Sequence, residues 1–251
     1  MSEQGLAPTP TICNRMDGPR IAELLAPFLS SKGQRHEQAT GARDSAALSL
    51  AQLRSISMYI DLLLRWNARI NLTGVRQPEE IVTRHFGESF FAARCLFPEA
   101  GGEPESGEGG QAAAHSHVID VGSGAGFPGL PIKLWAPRVQ LTLIESNQKK
   151  ATFLKEVVRN LNLASAEVFA GRADAFLGAK GDVVTLRAVE RFESILPVAA
   201  GLVGPGGRLA ILVGQAQLDR VRELVPGFKW SDPHALPLSA SRSMIIGGNE
   251  P

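Results

Sequence analysis

The segment VIDVGSGAGFPG, Val118 to Gly129, carries the most chemical content in the chain. A short apolar run ends at Val121, and Gly122, Gly124 and Gly126 follow. Glycines so placed let the backbone turn tightly and lie against a ligand with no Cβ in the way. The spacing is GxGxG with Phe127 next, whereas a dinucleotide fingerprint wants GxGxxG. A pyrophosphate cradle is therefore disfavoured and an adenosyl group fits better. Tight strand-to-helix packing also uses glycines, and that reading stays open here. Glu145 closes the second apolar run, where a carboxylate accepts bonds from both ribose hydroxyls. A solvent-facing carboxylate or a helix cap is its plain alternative. In GRADAF, Asp174 follows the third run at a position suited to the exocyclic amine of adenine, or to capping a helix ahead of Phe176. Arg187 follows the run Asp182 to Leu186, at the end of a sheet where ligands of α/β folds sit.

What is missing narrows the chemistry. Amino-group methylation of adenine goes with an Asn or Asp-Pro-Pro-aromatic motif, and carbon methylation of pyrimidines needs a nucleophilic cysteine. The chain has no such motif, and its two cysteines, Cys13 and Cys95, lie outside the segment that bears the glycines. Guanine N7 has a lone pair and no proton, so methylating it takes alignment and electrostatics without a general base. A short-chain dehydrogenase would need a Tyr-x-x-x-Lys pair, and the single tyrosine, Tyr59, has Leu63 at that spacing. Tyr59 falls within an apolar-periodic helix and reads as core.

These residues must be positioned by two kinds of element. From His117 onward, apolar or β-branched runs at Val118 to Val121, Gln140 to Glu145, Glu167 to Ala170, Asp182 to Leu186 and Arg208 to Val213 alternate with helical patterns at Pro131 to Trp135, Gln148 to Leu161 and Glu193 to Val203. This alternation predicts a parallel sheet covered on both faces, over 117–251. Pro205-Gly206-Gly207 marks a turn before a strand, and Ser243 to Ile246 supplies a late antiparallel edge strand.

Before that region the periodicity is helical throughout. Residues 19–97 read as a helical extension: a short helix at Ile21 to Leu29, one from Leu50 to about Trp66 capped by Ser49 or Ser45, and one over Glu79 to Leu96 with Pro78 in its first turn. The polar stretch Ser30 to Arg43 reads as a loop. Residues 1–18 read as a disordered tail, and 98–116, rich in glycine, glutamate and alanine, as a flexible linker.

With 251 residues and 44% hydrophobic composition the chain can bury a core as a monomer without disulfides. Two cysteines without a CxxC pattern support no zinc site and fit a reducing cytoplasm, and no signal peptide or membrane span is evident. The formal charge of +1 announces no nucleic-acid binder, so any RNA surface must be a local patch.

Four segments in order, NLTGVRQPEEIVTRH (Asn71 to His85), IDVGSGAGFPGLPIKL (Ile119 to Leu134), IESNQKKATFL (Ile144 to Leu154) and TLRAV (Thr185 to Val189), closely resemble the RsmG family, also called glucose-inhibited division protein B. Its members are bacterial 16S rRNA (guanine-N7) methyltransferases with a class I, Rossmann-like sheet. The resemblance, running from about Leu50 to Gly247, implies a cytoplasmic enzyme using S-adenosyl-L-methionine on 16S rRNA or the small ribosomal subunit, without metal or membrane. It implies that Gly122, Gly124 and Phe127 contact the cofactor, Glu145 holds its ribose, Ala173 and Asp174 flank its adenine, and Arg187 reaches cofactor or substrate. Asn67, Asn71, Arg84 and His85 resemble family residues ahead of the sheet; Asn71 and His85 join Arg187 as catalytic candidates, against helix termination and a satisfied polar residue as alternatives. Arg84, Lys149, Lys150 and Arg242 are the RNA-binding candidates, with Arg65, Arg69 and Arg76 behind them. The chain departs from the family in Gly87-Glu88-Ser89, where Asp-Ser is common, in Val213, where a lysine is usual, and in its long linker.

Overall fold

The computed structural model describes residues 16–30, 47–100 and 116–249. Most of the expected tail, the loop Ser30 to Arg43 beyond its first residue, and most of the linker lie outside the described residues. The tail boundary shifts, because Met16 is buried and accepts a hydrogen bond from the Ser57 hydroxyl at 2.7 Å, while Asp17 caps the first helix.

Among the described residues, eight strands form one sheet in the order β3-β2-β1-β4-β5-β8-β6, with β7 also pairing with β8. The strands are β1 (His117–Val121), β2 (Gln140–Ile144), β3 (Ala166–Phe169), β4 (Gly181–Arg187), β5 (Val203–Gly214), β6 (Lys229–Trp230), β7 (His234–Ala235) and β8 (Arg242–Gly248). The first five pair in parallel and β8 runs antiparallel to β5. This is the parallel sheet that the alternation predicted, with one antiparallel strand added. One expectation is corrected: β8 is antiparallel but is no edge, since β6 and β7 pair along its other side. Two-residue strands carry too little periodicity to be seen in sequence.

Strand order reverses direction at β1, which has β2 on one side and β4 on the other. Such a switch point opens a crevice at the carboxyl ends of the strands. Val121 pairs with Leu186, so Gly122 and Arg187 leave the sheet side by side.

The helices before the sheet are α1 (Gly18–Leu29), α2 (Leu50–Asn67), α3 (Pro78–Glu80) and α4 (Glu88–Leu96). Ser49 caps α2 in a reciprocal box with Gln52, whose side chain also reaches the Leu134 carbonyl at 2.8 Å. Between α3 and α4, Ile81–Gly87 winds as a π-helix, a local widening that periodicity does not predict. The sheet helices are α5 (Gly129–Trp135), α6 (Gln148–Asn160), α7 (Phe192–Gly201) and α8 (Leu218–Leu224). One continuous apolar core joins Ile21, Leu25, Ile56 and Phe86 of the extension to Leu141, Leu143 and Phe153 of the sheet region. A second core under α7 and α8 covers the other face.

Asp120 is buried on β1. Its Oδ1 accepts the Thr185 hydroxyl at 2.7 Å, while its Oδ2 has no hydrogen-bond partner among the described residues. Burial pushes its pKa from the ordinary 3.8 up to about 6, and the Thr185 bond offsets part of that rise. The folded state therefore holds a proton that the unfolded chain has lost between those two values, and stability falls as pH rises through that window. The stability of wild type relative to Asp120→Asn should drop by on the order of 3 kcal/mol between pH 4 and pH 6 and level off above it. Urea titrations of both proteins across that range measure it, and a constant difference would show that Asp120 stays ionised.

Candidate functional site

The loop after β1 is held from below. Gly122 and Ser123 both donate their N–H to the Ile144 carbonyl, at 2.9 and 3.1 Å, and the Ser123 hydroxyl donates to the Asp120 carbonyl at 2.8 Å. Gly122 (φ +67°) and Gly126 (φ +89°) are left-handed, and at both a Cβ would strike protein: Val189 at 2.6 Å from Gly122, Tyr59 and Leu130 at Gly126. Packing thus accounts for two of the three glycines. Gly124 (φ +56°) differs, since the nearest atom to its absent Cβ is the Gly122 carbonyl oxygen at 3.8 Å. There the backbone faces open space.

Glu145 borders that space, one residue past β2. Its Oε2 accepts the Gly124 N–H at 2.8 Å and its Oε1 the Asn147 N–H at 2.7 Å. It is buried and is neither solvent-facing nor the cap of α6, a role that Asn147 fills through Lys149 and Lys150 N–H. Each carboxylate oxygen keeps a lone pair for a further donor. After β3, Ala173 is buried, and Asp174 sits exposed within a 3₁₀ turn beside it. Asp174 does not cap that turn; its carboxylate pairs with Arg172 at 2.7 Å, and this guanidinium holds its carboxyl below the ordinary value.

Phe127 turns its side chain away from the open side of the loop. Its ring lies parallel to Tyr59 (5.4 Å between centroids, 3°) and stacks on His85 (4.9 Å, 24°), so the side chain belongs to an aromatic column. Only its main chain is left to the loop.

A cleft of about 470 Å³ opens beside the loop, walled by Val75, Val189, Phe192 and Leu212 and lined by Arg84, His85, Glu88, Arg187 and Arg242. Val189 belongs to both places, as it also packs on Gly122. Ala188, at the cleft, holds a left-handed φ of +47°, a conformation that costs a non-glycine residue on the order of 1 kcal/mol.

The polar groups of the cleft form one network. Arg187 donates to the carbonyls of Arg84 (2.7 Å) and His85 (3.3 Å) and to the Ser89 hydroxyl (3.3 Å), and pairs with Glu88 at 3.1 Å. Glu88 also pairs with Arg242 at 2.6 Å, and Arg84 with Glu80 at 2.9 Å. Burial raises the Glu88 pKa, against which Arg187 and then Arg242 pull it down; burial lowers that of Arg187, and Glu88 opposes it. His85 Nε2 lies 2.7 Å from the Thr73 hydroxyl, and its Nδ1 lies 3.3 Å from Arg187 Nη2. Arginine can only donate, so Nδ1 is the acceptor and the proton sits on Nε2. Burial first, then Arg187, Arg84 and Arg242, pull the His85 pKa from 6.5 down to about 3, so the ring is neutral at physiological pH.

Arg84, His85, Arg187 and Arg242 are thus brought together, from the π-helix, β4 and β8. Asn71 is not: it is exposed and forms no part of the cleft wall. The neighbouring Asn67 is the organising residue there, its side chain accepting the N–H groups of Leu72 and Thr73 and donating to the Thr73 carbonyl at 3.0 Å. Lys149 and Lys150 stand on the first turn of α6, away from the cleft. Sequence reasoning missed Glu88 as a site residue, although the departure Gly87-Glu88-Ser89 was its signal. It also missed Thr73 and Val189, which carry no mark in isolation.

A family model described as rRNA small subunit methyltransferase G matches residues 52–232. The chain is similar to the ribosomal RNA small subunit methyltransferase G of Xanthomonas axonopodis pv. citri (strain 306), 34% identical over 226 residues, 88% of this chain and 96% of the relative. It is likewise similar to the protein of that name from Stenotrophomonas maltophilia (strain K279a), 36% identical over 196 residues, 78% of this chain and 84% of the relative. Among solved structures, a SAM-dependent methyltransferase from Aquifex aeolicus aligns with a TM-score of 0.46 at 15% identity, over 53% of this chain and 81% of that chain.

Because the folded His85 binds its proton only near pH 3, stability tied to its neutral form is complete above pH 6.5 and lost as pH falls below it. The ring nitrogen resonances of His85 should stay unchanged from pH 8 to pH 5 in heteronuclear NMR. A titration midpoint near 6.5 would place the imidazole in solvent rather than between Phe127 and Arg187.

Proposed function

The chain belongs to the rRNA small subunit methyltransferase G family and is a methyltransferase of 16S rRNA, and on that premise we propose that it carries a methyl group from S-adenosylmethionine to N7 of a guanine. The observation that carries the reading is the shared wall: Val189 packs on the glycine loop and lines the cleft, so a ligand on the loop and a base in the cleft meet across one side chain.

The loop fits an adenosyl ligand. Gly124 leaves space where a Cβ would intrude, and Glu145 stands beside it with a lone pair on each oxygen. In this reading Glu145 holds the ribose hydroxyls, and Ala173 and Asp174 bound the adenine. The Phe127 main chain and Gly122 shape the turn. When bound, S-adenosylmethionine supplies a sulfonium methyl: the N7 lone pair forms the new C–N bond, the S–C pair returns to sulfur, and the positive charge passes to the purine.

The chain's own residues align and insulate this transfer. Phe192, Val75 and Leu212 present apolar walls suited to a purine face, and the cleft volume falls in the range of sites for small ligands. His85 is neutral, so it adds no cation beside a base that becomes positive, and N7 needs no proton removed. Arg187 fixes the π-helix against β4 through its carbonyl bonds. Arg84 at the cleft, with Lys149 and Lys150 on α6, are the phosphate-facing cations of the proposal, and Arg242 is an RNA-facing cation within the cleft.

Mass spectrometry of 16S rRNA nucleosides after incubation with the protein and S-adenosylmethionine should show 7-methylguanosine; methyl label on another atom or on no nucleoside overturns the reading. Glu145→Ala should weaken binding of the demethylated cofactor roughly ten- to hundredfold in calorimetry, in line with loss of charge-assisted hydrogen bonds. Wild-type affinity in the folded variant would remove Glu145 from the site. Arg84→Ala should lower RNA affinity and flatten its logarithmic salt dependence by about 0.7 to 0.9 for one lost phosphate, with an unchanged slope assigning Arg84 to its Glu80 pair alone.

A further inference from the structure

The cleft holds a carboxylate that the methyl transfer as described does not use. Glu88 begins α4 directly after the π-helix, its side chain only 3% exposed, and it lines the cleft between two guanidinium groups. Its position is enforced from behind: Gly87 lies under the ring of Phe28, and a Cβ there would stand 2.5 Å from that ring. The two arginines are not equivalent. Arg187 is 10% exposed and its two terminal nitrogens are committed to the Arg84 and His85 carbonyls, the Ser89 hydroxyl and Glu88. Arg242 is 29% exposed, makes a bond to Ser239 at 3.2 Å, and meets Glu88 at 2.6 Å. Arg242 and Glu88 line the cleft together.

An arginine N–H beside two carboxylate oxygens offers one donor followed by two acceptors. The Watson–Crick edge of guanine offers the complement: O6 accepts, while N1–H and N2–H donate. Adenine, with a donor at N6 and an acceptor at N1, meets the same pair with like against like. We propose that Glu88, with Arg242, reads the Watson–Crick edge of the guanine to be methylated, accepting from N1–H and N2–H while Arg242 donates to O6. This assignment rests on the proposed guanine-N7 reaction and names the group that selects its base.

The arrangement also favours the reaction. With N1, N2 and O6 engaged, N7 lies on the adjoining Hoogsteen edge with its lone pair free. Arg187, whose terminal nitrogens are already taken, does not compete for that lone pair. As the methyl arrives, positive charge spreads over the purine and its N1–H becomes a stronger donor. The bonds to the Glu88 carboxylate therefore strengthen in the transition state, where binding accelerates the step. The ion pairs with Arg187 and Arg242 stay intact throughout, which avoids leaving a buried charge unpaired.

The test compares 16S rRNA in small-subunit particles carrying guanine or inosine at the methylated position, once nucleoside mass spectrometry has located it. Inosine keeps N7, O6 and N1–H but lacks the 2-amino group. Wild type should methylate the inosine particle roughly ten- to a hundredfold more slowly in kcat/KM, the effect of one lost bond to a charged acceptor. In Glu88→Gln the rate on guanine should fall at least about tenfold and the guanine-to-inosine ratio should collapse toward one. Glu88→Asp should keep the ratio well above one, and affinity for the demethylated cofactor should match wild type in both variants. Equal wild-type rates on guanine and inosine overturn the proposal without any variant, as does a folded Glu88→Gln with the wild-type ratio. Absence of 7-methylguanosine from the wild-type reaction is a separate result, which sinks the guanine-N7 reading and this assignment together.

Discussion

The hydroxyl of Tyr59 donates to the carbonyl of Ala125, and the rest of the site depends on that bond. Tyr59 comes from α2 and is fully buried, so its hydroxyl must find an acceptor or lose its hydration without compensation. The acceptor it finds is the glycine loop. Burial raises its pKa further, which keeps it a donor across the physiological range. Its ring then sets the plane of Phe127, and Phe127 sets the plane of His85, so three elements distant in sequence share one column. Gly126 is a glycine because the Tyr59 hydroxyl occupies the place of its Cβ. The helical layer thus completes the glycine loop rather than merely covering the sheet.

Charge is managed in the cleft by the same economy of partners. Bringing Arg187 into the protein costs hydration that Glu88 alone would not restore, and its terminal nitrogens also meet carbonyls of the π-helical turn. The π-helical turn presents both carbonyls to the guanidinium. The outcome is a fixed arginine at the end of β4, a neutral histidine beside it and a carboxylate between two cations. Left-handed Ala188 lies at the same strand end, next to Val189, whose side chain fills the place that a Cβ on Gly122 would need.

Much of the fold was legible in the residues. The alternation of short β-branched runs with 3.6-residue patterns specified β1 to β5, and the strand at 242–248 was visible though not its place inside the sheet. Its flanking strands are two residues long, and so brief an element is made by its neighbours rather than by its own propensity. Of the site, Gly124, Glu145 and Arg187 stood out because type and position coincide at strand ends. Phe127 was legible only as a position: that its ring turns into the core follows from Tyr59, sixty-eight residues earlier in the chain. Asn71 stood out through resemblance, yet Asn67 makes the bonds that shape that turn.

By itself the sequence determined the class of sheet, the glycine loop at its switch point and the carboxylate that follows β2, because each is set by local periodicity or by a backbone conformation that few residues adopt. The tertiary structure alone decided which cations face the cleft, which protonation state His85 holds and what Glu88 can touch. Those properties depend on desolvation and on partners from other elements, and neither is carried by a residue's identity until the chain has folded around it.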